Sequence, residues 1–179
     1  MTMGNNIIFK KNDFDFMPKP NSITHYEKED LNGIDESLIT CTYGFIFDEN
    51  NNLLISLEGD RGWDLPGGHI ENGESINKAF HREIKEEGGV TCKDVKLFCI
   101  AEMLVKSKDI PKDYKYPIPK SYMLYYVAKV DKILEFKPSE EDLDRKFFSL
   151  EELETTEIST LKNEVFQVLY KKAKEYLHK

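Results

Sequence analysis

The chain has 179 residues, 40% hydrophobic and 12% aromatic, a size and composition that suit one domain with its own core and exclude fibrous and disordered classes. Lys and Arg number 25 against 33 Asp and Glu, a net charge of -8, which argues against a duplex-coating or anionic-membrane role, so neither a nucleic-acid nor a membrane partner is expected. Cys41, Cys92 and Cys99 form no CxxC pair and leave an odd thiol, so no disulfide scaffold or Cys-rich zinc site is indicated and a reducing, cytoplasmic setting fits.

The start MTMGNNIIFKK lacks a signal-peptide apolar core, and the apolar run from Tyr122 to Ala128 is too short to span a bilayer. Residues 1–38 are polar and mixed; they read as an N-terminal extension packing on the domain, with a short strand at 6–10 or 13–17 and with Phe9, Phe14 and Phe16 as docking residues. The domain proper is expected over residues 39–179. ITCTYGFIFD and NLLISLE form a hairpin around Glu49-Asn50-Asn51. A helical period then opens near Ser75 and closes at Gly88-Gly89. Strand-like runs follow at Val95 to Val105 and Ser121 to Phe136. Ser149 and Glu152 have capping-box spacing, and Leu161, Val165, Val168, Leu169 and Tyr176 give the last segment an apolar face. Strands with one central and one terminal helix predict a layered α/β fold.

Three apparent signals fail. Asp48-x-Asn50-x-Asn52 starts like a calcium loop but has Leu53 where glycine is needed and Gly59 where a bidentate Glu is needed. Gly62 and Gly67 have Walker spacing, yet Gly68 stands in place of the lysine. His25, His69, His81 and His178 show no ligand-pair spacing and are expected to face solvent or bond locally.

The informative stretch is GHIENGESINKAFHREIKEEGGV, Gly68 to Val90. At about 100° per residue, Ala79, Phe80 and Ile84 fall within about 80° of Ile76 and define the buried face, while Glu83 and Glu87 fall within about 20° of the same direction. Two carboxylates therefore lie on the stripe that faces the core, with Glu86 at its edge. Glu83 has Ala79, Phe80, Glu86 and Glu87 as its i±3 and i±4 neighbours, which offer repulsion and no cation. Desolvated carboxylates must be neutralised, paired or bound to metal, and oxygen-only ligands suit Mg²⁺ or Mn²⁺. Magnesium keeps positions for phosphate oxygens, so this helix points to a phosphorylated substrate.

The stretch resembles the Nudix box of the Nudix hydrolases (MutT-like): Gly, five residues, Glu, seven residues, Arg-Glu-apolar-any-Glu-Glu-any-Gly-apolar. The chain supplies Gly68, Glu74, Arg82, Glu83, Ile84, Glu86, Glu87, Gly89 and Val90 without departure, a chance match far rarer than about one in a million per chain. The looser resemblance runs from Ile39 to Leu153. It implies a Nudix-type α/β/α sandwich with a mixed β-sheet and hydrolysis of a nucleoside diphosphate linked to another group, with Mg²⁺ or Mn²⁺ as cofactor. Glu83, Glu86 and Glu87 match the metal-binding acids, the Gly67 carbonyl a further ligand, Arg82 the arginine that orients a box glutamate, and Glu74 a structural acid. In the mechanism implied, water attacks one phosphorus of the pyrophosphate and a carboxylate takes its proton. That base is either a box glutamate or an acid on a later loop, here Glu141, with Glu140 equally placed by sequence.

The loop VKSKDIPKDYKYPIPKSYM carries Lys106, Lys108, Lys112, Lys115 and Lys120, which could meet phosphates; Tyr114, Tyr116, Tyr122 and Trp63 offer faces for a base. Trp63, Tyr122 and Lys120 are the substrate-binding candidates. Members acting on ADP-ribose tend to carry a proline a little beyond a dozen residues after the box, whereas the first here is Pro111, and the element of NADH-directed members and any coenzyme A marker are missing. By elimination the expected substrate is a small nucleotide: a nucleoside triphosphate or modified nucleotide, in a housecleaning role. The alternatives are ADP-ribose, a nucleotide sugar or a dinucleoside polyphosphate as substrate, or a non-catalytic nucleotide-binding or regulatory domain. A homodimer is compatible with the chain, whose residues do not set the oligomeric state.

Overall fold

The computed structural model describes residues 6–59, 62–140 and 142–179. In chain order its strands are β1 (Ile7–Asn12), β2 (Asn21–Glu27), β3 (Ile39–Phe47), β4 (Leu53–Glu58), β5 (Gly62–Asp64), β6 (Gly67–His69), β7 (Val90–Val105), β8 (Lys120–Ile133) and β9 (Asp142–Phe148). Its helices are α1 (Ile76–Gly88), α2 (Leu150–Thr155), α3 (Ser159–Lys162) and α4 (Glu164–Leu177). The strands form one sheet in the order β1-β2-β7-β8-β3-β4-β5, with β6 paired to β3 and β9 to β4. The β3–β8 pairing is parallel and the others are antiparallel, so the sheet is mixed.

The two-residue alternation of β3 and β4 sorts their side chains into two layers. Phe45, Phe47, Leu53 and Ile55 join Phe166, Leu169, Tyr170 and Ala173 of α4 on one face, while Ile46 and Leu54 join Phe80 and Ile84 of α1 on the other. Each face of the sheet is thus covered by a helix, an α/β/α sandwich. Full burial of Phe80 and Ile84 stabilises the α1 layer by roughly 1.5–3 kcal/mol per side chain.

Helix α1 begins where its sequence signal does. The Ser75 hydroxyl accepts from the Lys78 N–H at 3.4 Å, and the helix closes on Gly89 in the left-handed conformation. Arg145 of β9 then donates to the carbonyls of Gly88, Gly89 (2.6 Å) and Leu134 (3.0 Å), placing a cation at the negative end of the helix. The expected capping box of α2 is present, with Ser149 and Glu152 bonded reciprocally. The Asp48 carboxylate accepts from the backbone of Asn50 and Asn52, the bonding of a tight turn.

The N-terminal segment adds two strands to the sheet edge. Residues 7–12 form β1, and 13–17 hold no strand; β2 was not legible in the sequence. It lies between β1 and β7, so Asn21, Ser22, Thr24 and His25 are all buried despite their polarity and no apolar alternation marks them. The Asn21 amide ties the connecting turn, accepting from Phe14 N–H (2.9 Å) and donating to the carbonyls of Phe14 (2.9 Å) and Met17 (3.0 Å). His25 corrects the expectation of solvent-facing histidines: it is 2% exposed, and burial pulls its pKa down to about 4. A ring that resists protonation when folded, but not when unfolded, weakens the fold as pH falls. Stability is expected to decline from about pH 6.5 towards 4, by about 1.4 kcal/mol per unit at most. Urea unfolding across that window checks this, with His25→Leu expected to show a shallower decline.

Candidate active site

The acidic residues of α1 are where the helical wheel puts them: Glu83 and Glu87 are buried and Glu86 is exposed. Arg82 gathers the motif. Its Nε and Nη2 donate to the two oxygens of Glu74 at 3.1 and 3.0 Å, Nη1 donates to Glu83 (2.8 Å) and Glu86 (3.0 Å), and Nη2 also donates to the His69 carbonyl at 3.0 Å. The planar fork matches a carboxylate at both ends, which a lysine cannot do. The bond from Arg82 holds the Glu74 carboxyl below its usual range, and the carboxylates in turn raise the Arg82 pKa.

Two glycines let the helix approach β6. Gly67 has φ +144°, and a Cβ there would lie 2.2 Å from the Thr42 carbonyl oxygen, so the position requires glycine. Its N–H donates to Glu87 Oε2 at 2.8 Å. A Cβ on Gly68 would stand 2.8 Å from Glu83 Oε1, so the missing side chain is the space the carboxylate occupies.

Beyond the helix, Glu58 on β4 and Asp142 on β9 each bring a carboxylate oxygen to Glu87, all within 4.8 Å of one another. The register pairs Glu58 directly with Asp142. Glu58 is buried, and Ser139 Oγ accepts from the Asp142 N–H at 2.8 Å, fixing the entry to β9. The sequence reading missed both residues. Glu58 lies an even number of positions from Leu54, which packs on α1, so strand alternation pointed its side chain towards the carboxylate helix. Asp142 carried no comparable signal. The base candidate Glu141 lies outside the described residues, and Glu140 is exposed. Three acidic oxygen donors around one point form a hard-donor set that fits Mg²⁺ or Mn²⁺.

The substrate candidates are dispersed. Trp63 packs edge-on to Phe148 (5.7 Å), with its carbonyl accepting from the Thr160 hydroxyl. Tyr122 is buried in a core cluster with Ile39, Ile100 and Leu124. Lys120 is paired with Glu102 at 2.7 Å. None of the three lines the cavity that lies on the α4 face of the sheet. That cavity, of about 620 Å³, is lined by Tyr43, Tyr125, Tyr116 and Phe166 among others, within the usual size of small-ligand sites. Tyr43 and Tyr125 stack at 5.5 Å and 24°. Tyr43 is also the register partner of Gly67, so the cavity abuts the strand that bonds Glu87. Tyr116 stacks on His69 with a 3.0 Å hydroxyl–Nε2 contact.

Residues 40–169 match the family model of the NUDIX domain, and the chain belongs to that family. Curated relatives include the mouse 8-oxo-dGDP phosphatase, 40% identical over 58 residues (30% of this chain, 18% of that protein). The Haemophilus ducreyi RNA pyrophosphohydrolase is 43% identical over 54 residues (30% and 27%). The matches thus span less than a third of either relative. Among solved structures, the Bacillus subtilis pyrophosphohydrolase superposes with a TM-score of 0.66 at 23% identity over 93% of this chain and 96% of that one, which shows the shared fold.

Arg82→Lys is expected to break the Glu74 fork and release Glu83, costing about 1–3 kcal/mol. Thermal melts of both proteins with and without Mg²⁺ check this, with a smaller Mg²⁺-induced rise expected in the variant.

Proposed function

We propose that this chain hydrolyses a pyrophosphate linkage in a nucleotide derivative with the help of Mg²⁺ or Mn²⁺, and that nucleoside triphosphates or modified nucleotides are its substrate class. The observation that carries this reading is the convergence of Glu58, Glu87 and Asp142 from three separate elements, beside an unbroken family motif. These acids, with Glu83, Glu86 and the Gly67 carbonyl, would hold the cation. When bound, such a cation supplies Lewis-acid stabilisation of the charge developing on phosphoryl oxygens.

The remaining work falls to the chain. Arg82 holds Glu83 and Glu86 in place, donating to each from one nitrogen, and its guanidinium offsets their mutual repulsion. Gly67 holds one Glu87 oxygen by its N–H. The proton of the attacking water passes to a carboxylate, either a box glutamate or Glu141. The aromatic cavity beside Gly67 takes the nucleoside, with Tyr43 and Tyr125 as stacking surface. No disulfide joins Cys41, Cys92 and Cys99, which supports a cytoplasmic setting.

The test is phosphate release with Mg²⁺ and with EDTA over nucleoside triphosphates, oxidised analogues, ADP-ribose, nucleotide sugars and dinucleoside polyphosphates. A 5′-triphosphorylated RNA belongs in the panel because of the Haemophilus ducreyi relative. Glu87→Gln is expected to lower metal-dependent turnover roughly 10²-fold or more while leaving the melting temperature within a few degrees, because it removes charge and no volume. Near-wild-type turnover in that variant would overturn the metal assignment.

A further inference from the structure

The C-terminal end of α1 is held by a side chain from outside the motif. Arg145 Nη1 donates to the carbonyls of Gly88 and Gly89, the second at 2.6 Å, and Nη2 donates to the Leu134 carbonyl at 3.0 Å. The Leu134 N–H in turn donates to the Gly89 carbonyl at 2.9 Å, so the helix end, the exit from β8 and strand β9 meet at one guanidinium. The Phe136 ring flanks it, with its centroid 5.3 Å from the guanidinium carbon. The place is shaped for this group. A Cβ on Gly89 would stand 2.5 Å from Nη1, so the glycine that ends the helix also leaves the room the arginine fills. A planar fork can bridge carbonyls that converge from two elements, which the point charge of a lysine cannot.

Arg145 and Asp142 stand three positions apart, so in a regular strand their side chains would point to opposite faces of the sheet. Strand β9 is not regular there. Asp144 pairs with Leu57 and Asp142 with Glu58, so Leu143 is an extra residue on β9, a β-bulge, and its side chain is exposed. The bulge turns both flanking side chains to the α1 face: Arg145 reaches the helix end, and Asp142 reaches Glu87.

These contacts close a short circuit. Gly88 directly follows Glu87 on the helix, and Arg145 lies three residues from Asp142 on the strand, a span of at most about 10 Å. The separation of the Glu87 and Asp142 carboxylates is therefore tied to the bonds that Arg145 makes between the two elements. We propose that Arg145 is a positioning residue of the acidic cluster: by joining β9 to the end of α1 it fixes Asp142 against Glu87 and so sets the affinity of the cluster for a divalent cation. This rests on the reading of those acids as the cation site. Arg145 touches neither carboxylate in this role; it acts through the two backbones that carry them.

The experiment is titration of Mn²⁺ into the wild type, Arg145→Met, Arg145→Lys, Asp142→Asn and the double variant Arg145→Met/Asp142→Asn, with the free ion followed by its electron paramagnetic resonance signal. All are measured below their melting transitions, so that only folded protein is compared. Tyr176→Phe, which removes the bond from α4 to Glu27 on the opposite face of the sheet, is the control for loss of stability alone. Arg145→Met is expected to raise the Mn²⁺ Kd about tenfold, as removal of a group that orients metal ligands does. Arg145→Lys, which keeps the charge and loses the fork, is expected to raise it about threefold. Tyr176→Phe is expected to stay within about twofold of the wild type, because its site is distant and shares no partner with the cluster. Asp142→Asn already removes the carboxylate that Arg145 positions, so the double variant is expected to lie within about threefold of Asp142→Asn alone. A purely structural arginine would lower the melting temperature and leave the Kd of the folded protein unchanged, and that result would overturn the proposal. So would a double variant about tenfold weaker than Asp142→Asn, because Arg145 would then act by a route that does not pass through Asp142. Where methionine at this position does not fold, Arg145→Lys and its double variant with Asp142→Asn carry the same comparison. A wild type that binds no Mn²⁺ would overturn the cation reading of the cluster, and this proposal with it.

Discussion

The structure depends on seating two carboxylates, Glu83 and Glu87, on the apolar side of α1. A helix seats itself by burying one stripe, and here that stripe holds Phe80 and Ile84 together with two carboxylates. The conflict is resolved by local donors: Arg82 reaches Glu83 from beside it, and the Gly67 backbone donates to Glu87. Both depend on close approach, which the glycines of β6 permit and any side chain there would block. The motif is thus a packing solution as much as a set of ligands.

That constraint organises the neighbouring elements. Glu74 and the His69 carbonyl occupy the rest of Arg82, which ties the loop before α1 to the helix. At the other end, Arg145 caps the helix from β9, and the same strand carries Asp142 to the carboxylates. A single strand therefore anchors the helix terminus and completes the acidic cluster. Because β9 pairs with β4, Glu58 and Asp142 approach Glu87 as a unit.

The sheet separates two chemistries. Its α1 face meets the acidic cluster, while its α4 face carries an aromatic cavity whose walls come from β1, β2, β3, β8 and α4. Gly67 lies at the junction, bonded to Glu87 and paired in register with Tyr43. A ligand spanning the two would place its charged and flat parts in environments suited to each, hard oxygen donors on one side and aromatic faces on the other.

The sequence by itself determined the parts that depend on local periodicity and spacing. Helix α1 and its caps, the β3–β4 hairpin, the capping box at Ser149 and the burial of Glu83 and Glu87 all follow from contacts within about twenty residues, which a linear reading can see. Tertiary structure alone decided what depends on distant pairing. Strand β2 is polar yet buried because two other strands flank it, so its composition carried no signal of burial. Asp142 reaches Glu87 only through the β4–β9 register, and Glu58, though its parity was readable, needed the same pairing to become part of a site. Tyr122 looked available as a free aromatic face but is buried against Leu124, and Trp63 is half-buried and packs edge-on to Phe148, while Tyr43, Tyr125 and His25 were brought together from separate strands. Side chains widely separated in sequence meet only when the sheet sets their register, because no local period encodes which strand lies beside which.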